Sequence, residues 1–482
     1  MNDLIKVPLL NALKKSARRS HAAFYAPGHK QGKGSNGKLK DFIGDRVFQA
    51  DLPELPELDN LFAPEGVIEE AQQLAARTFG AAKTWFLVNG SSCGIVAAIL
   101  ATCGTNDKII LPRNIHQSAI AGLILSGAIP IFIDPEYDPE AGLAYNVTPE
   151  AVERALKQHP DTRAVMMLHP TYQGICSDLA AIAEITHRFN IPLLVDEAHG
   201  AHFAFHRDLP PSALSVGADL SVQSTHKTLS ALTQASMLHL QGDRLSPQRI
   251  SKALQLVEST SPSYLLLVSL DAAREQMATQ GDRLMSQTIT LAKEARNIAK
   301  IPQLSVLTPE IQPGCQHFDP TRLTINVSKL GITGFEADEI LHEQLGVTCE
   351  LPLLRHLTFI ISLGNTTEDI QQLIAACETL VRLTLNRDRS TVIARQKSAI
   401  SYQQVISPRE AYFAPTETVK IDEASDRLCG ELICPYPPGI PLLMPGEMIT
   451  SEAVEYLQQV LAAGGTITGC KDLTLQTLQT LK

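Results

Sequence analysis

Asp196 and Lys227 are a carboxylate and an amine that each follow an apolar run. Ile191-Pro192-Leu193-Leu194-Val195 leads into Asp196-Glu197-Ala198-His199, and Ala218-Asp219-Leu220-Ser221-Val222-Gln223 leads into Ser224-Thr225-His226-Lys227. Such runs read as strands, and in an open parallel sheet the strand carboxyl ends face the ligand crevice. A lysine there can hold an aldehyde cofactor covalently. An aspartate there can keep a pyridine nitrogen protonated, so that the ring accepts electrons. These two groups are what a pyridoxal 5'-phosphate site requires. Lysines and aspartates after strands are common, so the pair needs support from the rest of the chain.

Four more runs read as strands: Trp85–Val88, Lys108–Leu111, Ile129–Ile133 and Ala164–Leu168. Helical spacing fills the gaps, as in Ser118–Ser126 and Leu179–Phe189. Strands alternating with helices predict a mainly parallel sheet covered on both faces. Polar groups recur after the strands: Asn89-Gly90-Ser91-Ser92, Pro112-Arg113-Asn114-Ile115-His116 and His169-Pro170-Thr171-Tyr172, besides the two groups above.

Gly90-Ser91-Ser92 would open a helix, where free amides and hydroxyls can cup a phosphate. An isolated Gly-Ser-Ser is equally an ordinary helix cap. Ser224 could reach the same phosphate. His116 could stack on a pyridine ring, although a loop histidine is often only a surface group. His226 could donate a proton, contact phosphate, or merely space the lysine. Gly32–Leu39 nearly matches a phosphate-binding loop, but lacks the final serine or threonine and follows no strand. Without that loop, Asp196–His199 carries no ATPase reading, and a glycine-rich dinucleotide fingerprint is absent too.

The chain has 482 residues, 44% hydrophobic and 19% charged, enough for roughly three domains. A net charge of -10 argues against nucleic acid or an anionic membrane as partner. Nine scattered cysteines with no CxxC pair suggest reduced thiols in the cytoplasm and no metal site. The first twenty residues lack the apolar stretch of a secretory signal. Residues 85–104 and 117–133 are uncharged, but Asn89–Ser92 interrupts the first and Ser126, Gly127 and Pro130 the second. Each is read as a strand plus a buried helix, not a membrane span. A proline-rich, extended arm precedes the sheet, with Pro27–Lys30 and Leu52–Asp59. A long helix over Ala272–Ile298, a small α/β unit, a polar connector over Asn386–Ile406 and a terminal piece follow it.

Six stretches together resemble the Orn/Lys/Arg decarboxylases of pyridoxal phosphate fold type I, in the order of that family: Phe24–Lys30, Pro112–His116, Val195–Gly200, Ser224–Lys227, Ser259–Tyr264 and Pro435–Pro441. The resemblance is to the short branch, without an extra N-terminal regulatory domain. It implies an aspartate aminotransferase-like α/β large domain with a mainly parallel, seven-stranded type of sheet, plus a smaller C-terminal α/β domain. The boundaries expected are 1–65 for the arm, 66–300, 301–385 and 386–482. It also implies decarboxylation of lysine, ornithine or arginine to a diamine or agmatine, as in polyamine biosynthesis, by a homodimer or higher homo-oligomer.

By that resemblance Lys227 carries the cofactor, Asp196 pairs with its ring nitrogen, and His116 stacks on it. Ala198 and His199 adjoin it, and Ser91, Ser92 and Ser224 hold its phosphate. His226 meets the substrate carboxylate and Glu350 the distal amine, with Asp59 and Glu447 as reserve candidates. Three residues depart from the pattern: Ser91 replaces threonine, His169 asparagine, and Asn60 a second aspartate. The last tilts the reading towards an ammonium substrate, lysine before ornithine. Two rivals remain. One is another reaction of the same fold, such as transamination, for which Arg322 and Arg355 are candidate carboxylate anchors. The other is an inactive binding homologue.

Overall fold

The computed structural model describes residues 3–384, 402–436 and 439–482. Seven strands form its large sheet: β1 (Lys83–Leu87), β2 (Lys108–Pro112), β3 (Ile129–Ile133), β4 (Thr162–Leu168), β5 (Leu193–Asp196), β6 (Leu220–Gln223) and β7 (Ser236–Leu240). Their order is β1-β7-β6-β5-β4-β2-β3. The pairs β2–β3, β2–β4 and β5–β6 are parallel, whereas β7 runs antiparallel to both β1 and β6. Six strands lie where the apolar runs predict them. The seventh, β7, has a polar residue, His239, inside its short run, which masks it in the sequence.

Contacts divide the chain into two compact units: Met1–Ala101 with Leu194–Arg207 and Pro211–Met285, and Thr102–Leu193 with Asp208–Pro210 and Ser286–Lys482. In the first unit every residue of β6 and β7 is buried, the polar Ser221, Gln223, Ser236 and His239 included. The helix Gly90–Thr102 packs against this layer so closely that a Cβ on Gly94 would lie 2.7 Å from Leu87 and Val222 side-chain atoms. Both uncharged stretches resolve as expected, one as β1 then this helix, the other as helix Gln117–Ser126 then β3. Among the described residues no helix is long and apolar enough to cross a membrane.

The arm is not simply extended. It folds into helices at Pro8–Ala17, Gly37–Ile43 and Asp45–Ala50, with irregular backbone between and after them. Asn36 caps the second of these, so the near-match to a phosphate loop is a helix start. The long helix begins earlier than expected, spanning Tyr264–Ala295, because Tyr264 is itself fully buried.

In the second unit, strands Ser305–Val306, Arg322–Asn326, His356–Ile360 and Leu351–Pro352 form an antiparallel sheet. Helices Gly334–Leu345 and Thr367–Thr384 share its apolar core. A terminal piece has its own core around Ile433, Ile449 and Leu457. It holds helix Ser451–Ala462 and two two-stranded ladders. Most of the connector expected at 386–406, and Pro437 and Pro438, lie outside the described residues.

Candidate functional site

In the first unit β5 ends at Asp196, while Ser224 follows β6 and opens the one-turn helix Thr225–Thr228 that carries Lys227. Lys227 Nζ lies 3.0 Å from His199 Nε2. Asp196 is buried and its Oδ1 accepts the Ala198 N–H at 3.2 Å. Burial pushes its carboxyl upward, and the Lys227 charge and the Ala198 amide pull it back. A buried carboxylate of this kind suits a cationic ring N–H. Nearby, the buried hydroxyls of Thr225 and Thr228 have no hydrogen-bond partner among the described residues, so polar capacity remains beside the lysine. The residues present fit pyridoxal phosphate.

Ser224 Oγ donates to Ser91 Oγ at 2.7 Å, which brings two predicted phosphate residues together. Ser92 stands next along the same helix start and is exposed. The loop before that helix is pinned by groups with no role in the sequence reading. Glu258 accepts the Val88 N–H at 2.9 Å, and the Gln234 side chain donates to Val88 O at 2.5 Å. His226 Nδ1 lies 3.0 Å from Ala235 O, which only an N–H can satisfy, so Nε2 is the basic nitrogen. Burial lowers the His226 pKa, and Lys227 pushes it the same way.

Behind the strand ends runs a buried polar chain. Glu197 accepts from Ser221 Oγ at 2.6 Å, Gln223 Nε2 at 2.8 Å and Ala213 N at 2.8 Å. Gln223 Oε1 meets His239 Nε2 at 3.1 Å, and His239 Nδ1 meets Thr84 Oγ1 at 2.8 Å. Burial lifts the Glu197 pKa to about 7 and drops that of His239 to about 3, so this imidazole stays neutral. The chain ties β1, β7, β6 and the residue after Asp196 together. Its one signal in the sequence is a set of polar residues inside otherwise apolar strands.

In the second unit His116 caps the helix Gln117–Ser126 and accepts the Ser118 N–H. A Cβ on Gly439 would lie 3.4 Å from His116 Nε2. Glu350 is exposed, with its amide bonded to Thr358 O. His169 is fully buried.

Two reserve candidates for the substrate tail are committed elsewhere. Asp59 accepts the amides of Gly66 and Ile68 at 2.8 and 3.0 Å and so caps helix Val67–Phe79. Glu447 pairs with Arg113 through Nε at 3.0 Å and Nη2 at 2.9 Å, with side chains only 1% and 3% exposed. Asn60 likewise shapes the turn, accepting the amides of Phe62 and Ala63. Its identity therefore says nothing about the substrate, and the tilt towards lysine loses its basis.

Comparison with known proteins finds relatives over nearly the whole chain. The family description "Orn/Lys/Arg decarboxylase, major domain" covers residues 7–369, and "Orn/Lys/Arg decarboxylase, C-terminal domain" covers 391–472. An arginine decarboxylase of Bacillus subtilis is 39% identical over 484 residues, covering 99% of this chain and 98% of its own. The Francisella novicida lysine decarboxylase superposes with a TM-score of 0.86 at 22% identity, over 99% of this chain and 81% of that one. A pyridoxamine-pyruvate aminotransferase of Mesorhizobium loti shares the fold more distantly, with a TM-score of 0.53 at 17% identity over 66% of this chain and 84% of that one.

Proposed function

The chain belongs to the Orn/Lys/Arg decarboxylase family, and from that premise we propose that it converts L-arginine to agmatine and CO2 with pyridoxal phosphate. Family membership makes it a decarboxylase of a basic amino acid of fold type I. The observation that carries the choice of arginine is the 39% identity, over nearly the full length of both chains, to a protein named arginine decarboxylase.

Pyridoxal phosphate, when bound, supplies the electron sink for the bond that loses CO2. The protein's own groups do the rest. Lys227 is the amine that would anchor the cofactor, and it is the group placed to return a proton to Cα. His226 is less suited to that transfer, because its lowered pKa leaves it neutral near pH 7. Asp196 holds the proton at the ring nitrogen, with Ala198 fixing its carboxylate and His199 orienting the Lys227 amine. Ser91, Ser92 and Ser224 take the phosphate. His116 is assigned to ring stacking on the motif resemblance. Glu350 is assigned to the guanidinium, since Asp59 and Glu447 are occupied.

A transaminase reading is disfavoured by the candidate anchors. Arg322 is fully buried with Nε 3.6 Å from Asp319 Oδ2, and Arg355 donates to Glu140 O. Retention of Lys227 and Asp196 together disfavours an inactive homologue. We assign a homodimer as well. Phe24 and Phe42 on the arm are 93% and 87% exposed, apolar surface suited to a second subunit. Nine cysteines, none in a disulfide among the described residues, suit the reducing cytoplasm.

The test is kcat/KM for arginine, lysine and ornithine, with CO2 and product amine both measured. Arginine should win by at least about tenfold, a margin of roughly 1.4 kcal/mol. Keto acid without CO2, or a preference for lysine, would sink the proposal.

A further inference from the structure

In the second unit, beyond the ends of β2, β3 and β4, lies a cavity of about 250 Å³. That is just below the roughly 300–1,000 Å³ of ordinary small-molecule sites. Leu143, Leu168, Leu353, Leu442, Tyr402 and Tyr456 give it apolar walls. Two buried polar atoms on the lining, Asn114 Oδ1 and Tyr137 OH, have no hydrogen-bond partner among the described residues. The Asn114 amide is oriented by Nδ2, which donates to Tyr145 O at 3.1 Å, so Oδ1 is left as an acceptor. Burial keeps the Tyr137 phenol protonated, and its oxygen can still accept.

The lining also carries the exposed carboxylate of Asp134 and the guanidinium of Arg113, and Arg355 stands beside it, with Nη1 2.9 Å from where a Cβ on the lining residue Gly142 would lie. Arg113 is already spent. Besides Glu447 it serves the carbonyls of Pro441 at 2.8 Å and Leu442 at 3.1 Å, and its guanidinium stacks 3.8 Å from the Tyr402 ring. The cavity therefore offers two acceptors within apolar walls, with the exposed carboxylate of Asp134 also on its lining. An unpaired buried acceptor is costly, and a donor cation with an apolar stem satisfies both halves of the site.

We propose that this cavity binds a small primary alkylammonium of the size of 1,4-diaminobutane. Its ammonium is offered to Asn114 Oδ1, Tyr137 OH and Asp134, and its methylenes lie against Tyr402 and Leu353. Pro435, Ile440 and Pro441 also line the cavity and flank Gly439, the residue set against His116. Gly439 O in turn accepts the Gln117 N–H at 3.1 Å. Occupancy thus bears on Gly439, the residue set against His116, and an amine of the product's class tunes the enzyme. Only this coupling rests on the cofactor role assigned to His116; the binding itself does not.

The test is calorimetric titration of 1,4-diaminobutane into holoenzyme whose cofactor has been fixed to Lys227 with borohydride, so that amines cannot exchange there. One saturable site per chain is expected. Tyr137→Phe, nearly isosteric, should weaken it about fivefold, and Asp134→Asn by about tenfold. Leu353→Trp should fill the cavity and abolish binding. Absence of saturable heat in the wild type, full affinity in both Tyr137→Phe and Asp134→Asn, or binding of succinate in place of the diamine would overturn the proposal. A protein that binds the diamine but does not decarboxylate arginine would sink the proposed function and leave this site standing. One that decarboxylates arginine but shows no such heat would do the reverse.

Discussion

Replacing Arg113 with methionine should destabilise the second unit in a way that depends on pH. The guanidinium makes two contacts to Glu447 and two to backbone carbonyls, and Met444 N donates to Glu447 Oε2 at 2.8 Å. Burial lifts the Glu447 carboxyl, and Arg113 with the Met444 amide pulls it back. Methionine fills much of the volume but leaves a buried carboxylate with one backbone donor. Breaking a buried pair from one side costs about 3–5 kcal/mol. Protonation of Glu447 is the escape, so its folded pKa in the variant rises well above the unfolded value of about 4.3. A group raised in this way gives full stability below the unfolded pKa and loses it as pH climbs to the folded one. The loss at high pH is the pair-breaking figure of about 3–5 kcal/mol. Arg113→Met should therefore be close to wild type at pH 4 and weaker by that amount at pH 8. Hydrogen exchange of the 441–447 backbone, compared at the two pH values with urea unfolding, reads this locally. Adding Glu447→Leu should recover most of the loss. The same loss at both pH values, or no recovery in the double variant, would refute the reasoning.

The remaining predictions concern the reaction. Lys227→Ala should abolish the visible absorbance of the bound cofactor and lower kcat by about 10²–10⁴-fold, as expected for loss of the proton donor; a retained band with full turnover excludes the assignment. Asp196→Asn, with the charge removed and the shape kept, should cut kcat by about 10²–10³-fold while the protein still takes up cofactor. Glu350→Gln should lower kcat/KM for arginine by about 10–100-fold, mostly through KM. If every substrate is untouched, the tail is read by another group. Light scattering at assay concentration should show a dimer, and an active monomer would contradict the role given to Phe24 and Phe42.

What the sequence revealed and what it hid divide along a physical line. The place of Asp196 at a strand end was legible because it follows an unbroken apolar run, as burial on both faces writes a strand, while Ser224 and Lys227 follow a run in which apolar residues alternate with Asp219, Ser221 and Gln223. β7 broke that rule, since its His239 is buried and polar, and the rule fails wherever a polar side chain finds its partner across strands. The same blindness covered Glu197, whose three donors come from residues sixteen to twenty-six positions away, and Glu258, whose partner Val88 lies 170 positions back. It also made Asp59, Asn60 and Glu447 look available for a substrate. A carboxylate's chemistry shows in its letter, but its engagement does not. Asp59 caps a helix that begins eight residues later, a local arrangement that the adjacent Gly66 and the acidic first turn partly disguise. Glu447 answers an arginine 334 positions away. The position of these groups at strand ends was thus readable from local pattern, whereas their supports and the exclusions are long-range pairings that only the fold brings together. That division explains why the arginine reading rests on likeness along the whole chain and not on any one acidic residue.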